Sequence, residues 1–423
     1  MLAGEVRPEA AYGKPGRAGA RGTAPGGAGQ VSPLPALSMS RLYVVAVALF
    51  FAAAAGAQPP PGQIGSFLSN DGGPVAIYPV ADGLDRPWAL AFLPDGRMLV
   101  TERSGSLRIV TPDGGVSAPV EGVPEVWARG QGGLLDVALD PDFEANGYVY
   151  LSYARPNPDG EGAASALGRG RFADDRIEDF EPLFTSVPYM SSGGHFGSRI
   201  EFSPDGHLYL ATGERFQFDP AQDLSNHLGT VVRIRPDGSV PDDNPFVGDP
   251  DAGAEIWSYG HRNIQAAAFD KITGDLYVAE MGPLGGDELN RVERGANYGW
   301  PVVSWGMDYD GELIPDPPTR PEFMGSVGVW TSSIAPSGMV HYTGSEVPGW
   351  QGSFLVGSLV YRGLVRVEVG SGAVADQEIL AVGARIREVE QGPDGRVYLL
   401  TDEPNPEGRV LVLRAIETRP EGG

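Results

Sequence analysis

Hydrophobic and polar residues alternate in short runs through residues 75–415, and the runs come in pairs. An alternating strand, a turn built on Pro-Asp-Gly or a similar phrase, and a second alternating strand recur six times. The copies occupy residues 88–103, 134–154, 198–214, 265–282, 337–369 and 386–403. Period-two patterning across a glycine-containing turn predicts a β-hairpin in each. Further short strands are predicted over 106–110, 230–234 and 409–413. Six such units predict an all-β chain, a six-bladed β-propeller with four-stranded antiparallel blades. A pair of β-sandwiches is the competing arrangement. The regular turn phrase and the lack of a linker between repeats favour the propeller. A propeller gathers its longer loops at one end of a central channel. Function is therefore expected in residues 130–133, 191–199, 213–218, 258–265, 280–288, 297–301 and 385–387.

The N-terminal residues carry a different pattern. Residues 1–38 are rich in Gly, Ala, Arg and Pro, without apolar periodicity, and are expected to be a non-native or disordered extension upstream of a start at Met39. Residues 39–57 then read as a secretory signal peptide. Arg41 supplies the positive start, an apolar run covers 42–55, and Ala55-Gly56-Ala57 offers small residues for cleavage. A membrane anchor is the other reading, but the run falls short of the ~20 residues that span a bilayer. Residues 58–74 are expected to be a linker, 75–415 a single catalytic domain, and 416–423 a disordered tail. The mature chain is expected to be periplasmic or secreted, with no integral membrane segment.

Composition narrows the chemistry. The 423 residues include 31 basic and 55 acidic side chains, a net charge of −24, which argues against a nucleic-acid partner. Cysteine is absent, excluding disulfides, thiolate metal sites and a cysteine nucleophile. The 61 glycines and 38 prolines fit a chain of many turns.

Four local clusters could carry chemistry. His195 lies in SSGGHFGSR, where glycines let a ligand approach the backbone. Histidine is a natural general base near neutral pH, and a satisfied structural histidine is the alternative. In SYGHRNIQ, Arg262 brings a fork of donors suited to a carboxylate or a developing oxyanion. A tie between blades would use the same residue type. Arg385 and Arg387, two apart on a strand, point to one face and suggest an anionic ligand, or else surface ion pairs. EMGPLGGDELN offers carbonyls and carboxylates together, the donor set of a hard cation such as calcium. His207 reads as a solvated strand residue and His341 as a packed one.

Taken in order, GQGGLLDVALDPDF, GGHFGSRIEF, EIWSYGHRN, MGPLGGDELN, NYGWP and ARIREV resemble the soluble aldose sugar dehydrogenases, a family that includes soluble glucose dehydrogenase. The resemblance covers about residues 75–415. It implies a six-bladed propeller that uses pyrroloquinoline quinone (PQQ) and calcium to oxidise aldoses to lactones at the anomeric carbon. An external electron acceptor, a quinone or a cytochrome, would complete the cycle. It further implies His195 as the base, supported by the carboxylate of Glu214, and Arg262 as the stabiliser of charge on a quinone oxygen. Gln131, Asn263, Arg385 and Arg387 would hold PQQ with Arg262. Gln131, Glu214 and Trp330 would face the sugar. The carbonyls of Gly282 and Pro283 would ligate calcium, and a second calcium would lie near Glu288 and Tyr298.

The chain departs from the family pattern at four of these places. Glu214 replaces an aspartate, Val360 falls where the glucose enzyme has a PQQ-binding lysine, Ile264 interrupts the usual HRNPQ, and Met281 precedes Gly-Pro. Two other functions compete: a calcium-dependent lactonase or esterase, and a non-catalytic ligand-binding propeller. The paired Arg385 and Arg387 speak against the first, and retention of His195 speaks against the second.

Overall fold

Six antiparallel hairpins stand at the six predicted places. Their first strands are Pro87–Phe92, Leu134–Leu139, Gly197–Phe202, Ile264–Phe269, Pro336–His341 and Ile386–Gln391. Their second strands are Met98–Glu102, Tyr148–Pro156, Leu208–Thr212, Leu276–Glu280, Phe354–Ser358 and Val397–Thr401. Each first strand touches the first strand of the next blade, and the sixth touches the first, so the strands form a closed ring about an axis. This is a computed structural model describing residues 61–417. The extension and signal peptide expected over residues 1–57 lie outside the described residues.

Side-chain alternation explains why second strands such as Met98–Glu102 and Leu276–Glu280 are buried on both faces. A blade presses one face against the preceding blade and the other against the next. Thus Leu99 packs toward the second blade, while Met98 and Val100, one residue either side, pack toward the sixth. Six such interfaces hold the six hydrophobic clusters of the protein. Each fully buried Leu, Ile or Val in them contributes about 1.5–3 kcal/mol.

Four blades have the expected four strands. The first has three, Pro87–Phe92, Met98–Glu102 and Ser106–Val110. The sixth has five, because the strand Gly73–Leu84 pairs with Gly408–Ala415 in register from Val75↔Ala415 to Leu84↔Gly408. The ring is thereby sealed by pairing an early strand with the last strand described. Gly65–Ser69, expected in the linker, instead forms a strand against Gly73–Leu84. Ile416, expected in the tail, still donates its N–H to the carbonyl of Pro74 at 2.8 Å.

The Pro-Asp-Gly turns join first to second strands at one end of the ring. The start of each first strand and the finish of each second strand lie at the other end. That rule decides where the chemistry collects.

Candidate active site

Gln131, His195, Arg262, Asn263 and Arg385 precede first strands, whereas Glu214, Gly282 and Asp402 follow second strands. All of them therefore stand at the end opposite the Pro-Asp-Gly turns.

His195 is buried, at 3% exposure. Its Nδ1 donates to Glu214 Oε1 at 2.5 Å, while Glu214 Oε2 accepts the Phe218 N–H at 2.8 Å. The His195 N–H is held by Gln131 Oε1 at 2.8 Å. With Nδ1 bound to Glu214, Nε2 keeps its lone pair and has no hydrogen-bond partner among the described residues. Burial and the Arg262 cation lower the imidazole pKa to about 4, against the opposing pull of Glu214. Burial would raise the Glu214 carboxyl, but His195, Arg262 and the Phe218 N–H outweigh it and hold it below its usual value. The pair is thus a neutral imidazole backed by a carboxylate, the state a general base requires.

The glycines around His195 serve packing more than ligand approach. A Cβ on Gly194 would strike the Phe216 ring, and one on Gly130 would strike the carbonyl of Gly193. These residues let three loops close on one another.

Arg262 is anchored from behind. Glu280 accepts its backbone N–H at 2.6 Å, His261 Nδ1 at 3.0 Å and Asn290 Nδ2 at 2.8 Å. His261 also meets Ser258 Oγ at 3.0 Å, so it is a structural histidine. The guanidinium of Arg262 donates to the carbonyls of Met281 and Gly282 at 2.9 and 2.8 Å and stands 5.1 Å from the Trp300 ring centre.

Arg385 and Arg387 do face one direction, and they share Asp402, at 2.9 and 3.2 Å. Burial raises the Asp402 carboxyl, but Arg387, Arg385 and Arg103 overcome it and drive the pKa far down. Neither Asp402 nor Arg103 was singled out from sequence. Arg387 also reaches Gln265 Oε1 at 3.3 Å, and Gln265 Nε2 reaches Asn263 Oδ1 at 3.2 Å. In the site, Nε of Arg262, Nε of Arg387 and Nε1 of Trp300 are buried without an acceptor, a state shared with Nε of Arg233, Arg366 and Arg396 elsewhere among the described residues. Unspent donors on permanent cations fit a polyanionic cofactor such as PQQ.

The acidic segment divides in two. Asp287 is committed to structure. It accepts Gly282 N at 2.9 Å, Ser333 Oγ at 2.7 Å, and Ile334 N and Ala335 N at 2.8 Å. Glu280 is committed as well, to Arg262 N, His261 and Asn290, and together with Glu288 and Arg262 it lines a chamber of about 10 Å³, room for one water-sized sphere. Burial and neighbouring Glu280 push the Glu288 carboxyl up to about 8, and Asn290 Oδ1 is buried without a partner. The Glu288 carboxylate is thus the oxygen donor left for a hard cation in this chamber, which Arg262 also lines and Asn290 does not. Tyr298 lines the same chamber, but its hydroxyl donates to the Arg291 carbonyl at 2.5 Å and accepts Glu293 N at 3.0 Å. Gly282 offers its carbonyl to Arg262, so of the expected pair Pro283 alone has a carbonyl free of hydrogen bonds among the described residues.

Trp330 pairs in register with Asp287, at the end of the ring that carries the site, but it is buried there. It is 7% exposed, packs in the core between the fourth and fifth blades, and donates Nε1 to Gln377 Oε1 at 2.9 Å. The exposed aromatic beside the site is Tyr309, whose hydroxyl accepts from Arg262 at 3.1 Å. It lies in an irregular excursion between strands, where no periodicity marks it. Val360 is exposed, and Arg362 turns to the Gly383 carbonyl at 2.9 Å. His341 is packed as expected, whereas His207 is half-buried beside Arg233.

Comparison with known proteins gives the same direction. Residues 84–412 match the Glucose / Sorbosone dehydrogenase family. An aldose sugar dehydrogenase of Escherichia coli (strain K12) is 44% identical over 342 residues, 79% of this chain and 91% of that protein. The apo crystal structure of the soluble E. coli aldose sugar dehydrogenase superposes with a TM-score of 0.75 at 42% identity, over 81% of this chain and 100% of that one. The PQQ-bound aldose sugar dehydrogenase of Streptomyces coelicolor superposes with a TM-score of 0.67 at 28% identity, over 83% of this chain and 99% of that one. A match that spans all six blades and the whole cluster of charged loops shows that the chain belongs to the glucose/sorbosone dehydrogenase family.

Proposed function

We propose that this protein oxidises aldose sugars at the anomeric carbon to lactones, using PQQ and calcium, in the periplasm or outside the cell. The observation that carries the reading is the neutral, buried His195, held by Glu214, at the same end of the ring as Arg262, Arg385 and Arg387. Bound PQQ would supply the acceptor for the hydride that leaves the sugar. His195 Nε2 takes the proton of the anomeric hydroxyl, and Glu214 stabilises the imidazolium that results. Arg262 places positive charge where an oxyanion develops, in a site from which water is largely excluded. Arg385, Arg387, Asn263 and Gln131 hold and orient. The exposed Tyr309 takes the rim position first expected for Trp330.

Titration of the purified apoprotein with PQQ and calcium, followed by absorption, tests this reading. Binding should saturate, and added aldose should reduce the bound quinone. Absence of PQQ binding in the wild type would overturn it. Arg385→Ala should weaken PQQ binding about 10–100-fold, the worth of one charged hydrogen bond, and leave the rate of reduction at saturation nearly unchanged.

Calcium is assigned to Glu288 and, separately, to the free carbonyl of Pro283. A ligand bound only by the native state stabilises it, by about 2.7 kcal/mol when present at 100 times its Kd. EDTA should therefore lower the melting temperature by a few degrees, and Glu288→Gln should reduce that response. An unchanged melting temperature would remove the metal from this chamber.

A further inference from the structure

Three consecutive residues after the second strand of the third blade reach the same target. Glu214 binds the His195 ring at Nδ1. Phe216 stacks on that ring, with centres 3.6 Å apart and planes 28° from parallel. Arg215 grips the loop on either side of the histidine. Its guanidinium donates to the carbonyls of Gly194 and Ala163, each at 2.8 Å, and to that of Ser192, and it lies 3.5 Å from the centre of the Phe196 ring.

Arg215 is 1% exposed, yet it forms no ion pair among the described residues. Two of the carbonyls that take its charge, Gly194 and Ser192, belong to the segment that carries His195, and the third, Ala163, belongs to the second blade beneath it. A buried cation without a carboxylate partner is costly to keep. The bond to Ala163 ties the third blade to the second, but the other two carbonyls and the Phe196 ring all flank His195.

The backbone explains how the convergence is possible. Successive side chains on a strand point to opposite faces. Arg215 and Phe216 each have φ of +58°, Phe218 has +64°, and His195 itself has +50°. Left-handed backbone at non-glycine residues is strained and gathers at functional sites. Here it cancels the alternation, so that neighbours in sequence become neighbours around one imidazole. The Phe218 N–H, turned inward by the same bend, fixes the second oxygen of Glu214.

We propose that Glu214, Arg215 and Phe216 form one clamp on His195, in which Arg215 and Phe216 are positioning residues that hold the imidazole in its reactive orientation. The proposal rests on His195 being the base. Arginine is needed because its planar fork serves three carbonyls at once, which a lysine cannot do. Phe216 covers one face of the ring and fixes its plane.

Arg215→Lys and Phe216→Leu test the clamp, both milder than truncation. Single-turnover reduction of bound PQQ by aldose should slow about 10–100-fold in each, the loss expected when a reacting group is misplaced by about 1 Å. PQQ binding and the sugar concentration for half-saturation should move less than about threefold, because neither residue is assigned to cofactor or sugar. Nitrogen-15 NMR of the apoprotein supplies an independent readout: the His195 Nδ1–H tautomer, single in the wild type, should become mixed in both variants. A folded Arg215→Lys protein with the wild-type rate and a single tautomer would overturn the proposal. So would a slower rate that tracks lost PQQ binding while the tautomer stays single. Should the wild type fail to reduce PQQ at all, the dehydrogenase reading fails, and the tautomer measurement still decides whether the clamp exists.

Discussion

His195→Ala should lower the single-turnover oxidation of aldose by about 10²–10⁴-fold while leaving PQQ bound, because a positioned general base contributes about that much. The fold should survive. The ring lies at the end of a loop whose backbone is held by Gln131 and Arg215, not by the imidazole. Glu214 would lose its ring partner but keep the Phe218 N–H. Wild-type reduction rates in this variant would remove His195 from the mechanism. The pH dependence carries the same test in the native enzyme. With the imidazole pKa lowered to about 4, the base stays active well below neutrality, and the acidic limb of the rate should fall near pH 4, not near the ordinary value of ~6.5. Stability follows with a definite sign. Between about pH 6.5 and 4 the unfolded chain takes up a proton that the native state refuses, so His195 makes the fold less stable as pH falls through that window.

Arg199→Met should be the most damaging single change to stability, by about 3–5 kcal/mol, as expected when one partner of a buried ion pair is removed. Arg199 reaches four other blades from the first strand of its own. It pairs with Glu388, lies 3.7 Å from Asp136, donates to the Gln265 carbonyl at 2.7 Å, and sits 4.0 Å from the Trp88 ring centre. Without it, Glu388 and Asp136 become like charges buried at the axis. Burial first, then Asp136, already pushes the Glu388 carboxyl up to about 7 even beside Arg199. The damage should therefore shrink as pH falls and Glu388 takes up a proton. Adding Glu388→Gln should restore part of the loss, which denaturant unfolding of the single and double variants would measure. A purely additive result would show that the ion pair does not couple the blades.

The parts of the fold that were legible were local ones. Each hairpin announces itself within about 16 residues, through alternation and a glycine turn. The closing strand did not, since residues 73–84 alternate no more clearly than an ordinary edge and their partner is more than 300 residues away. The site divides in the same manner. His195 and Arg262 stood out because their loops are neither turn nor strand, and Arg385 with Arg387 because two-residue spacing fixes a common side. Arg199 and Arg215 stayed hidden, since nothing in a sequence marks an arginine whose partners are carbonyls or side chains of distant loops. Trp330 misled for the opposite reason. The resemblance gave it a place facing the sugar, but a match of residues does not show that packing between the fourth and fifth blades buries the ring.

Closure by Gly73–Leu84 also sets a timetable for the newborn protein. The strand that seals the ring is among the first segments of the propeller to be made, and its mate Gly408–Ala415 is the last. At ordinary rates of synthesis the early strand waits roughly 20–60 s for that mate. By the end of that interval five blades stand as an open arc with an unpaired strand edge at its boundary. An exposed edge of this kind invites pairing with another chain. Crowded synthesis should thus favour strand exchange between copies at this one seam, while every other blade is completed by strands that follow each other within seconds.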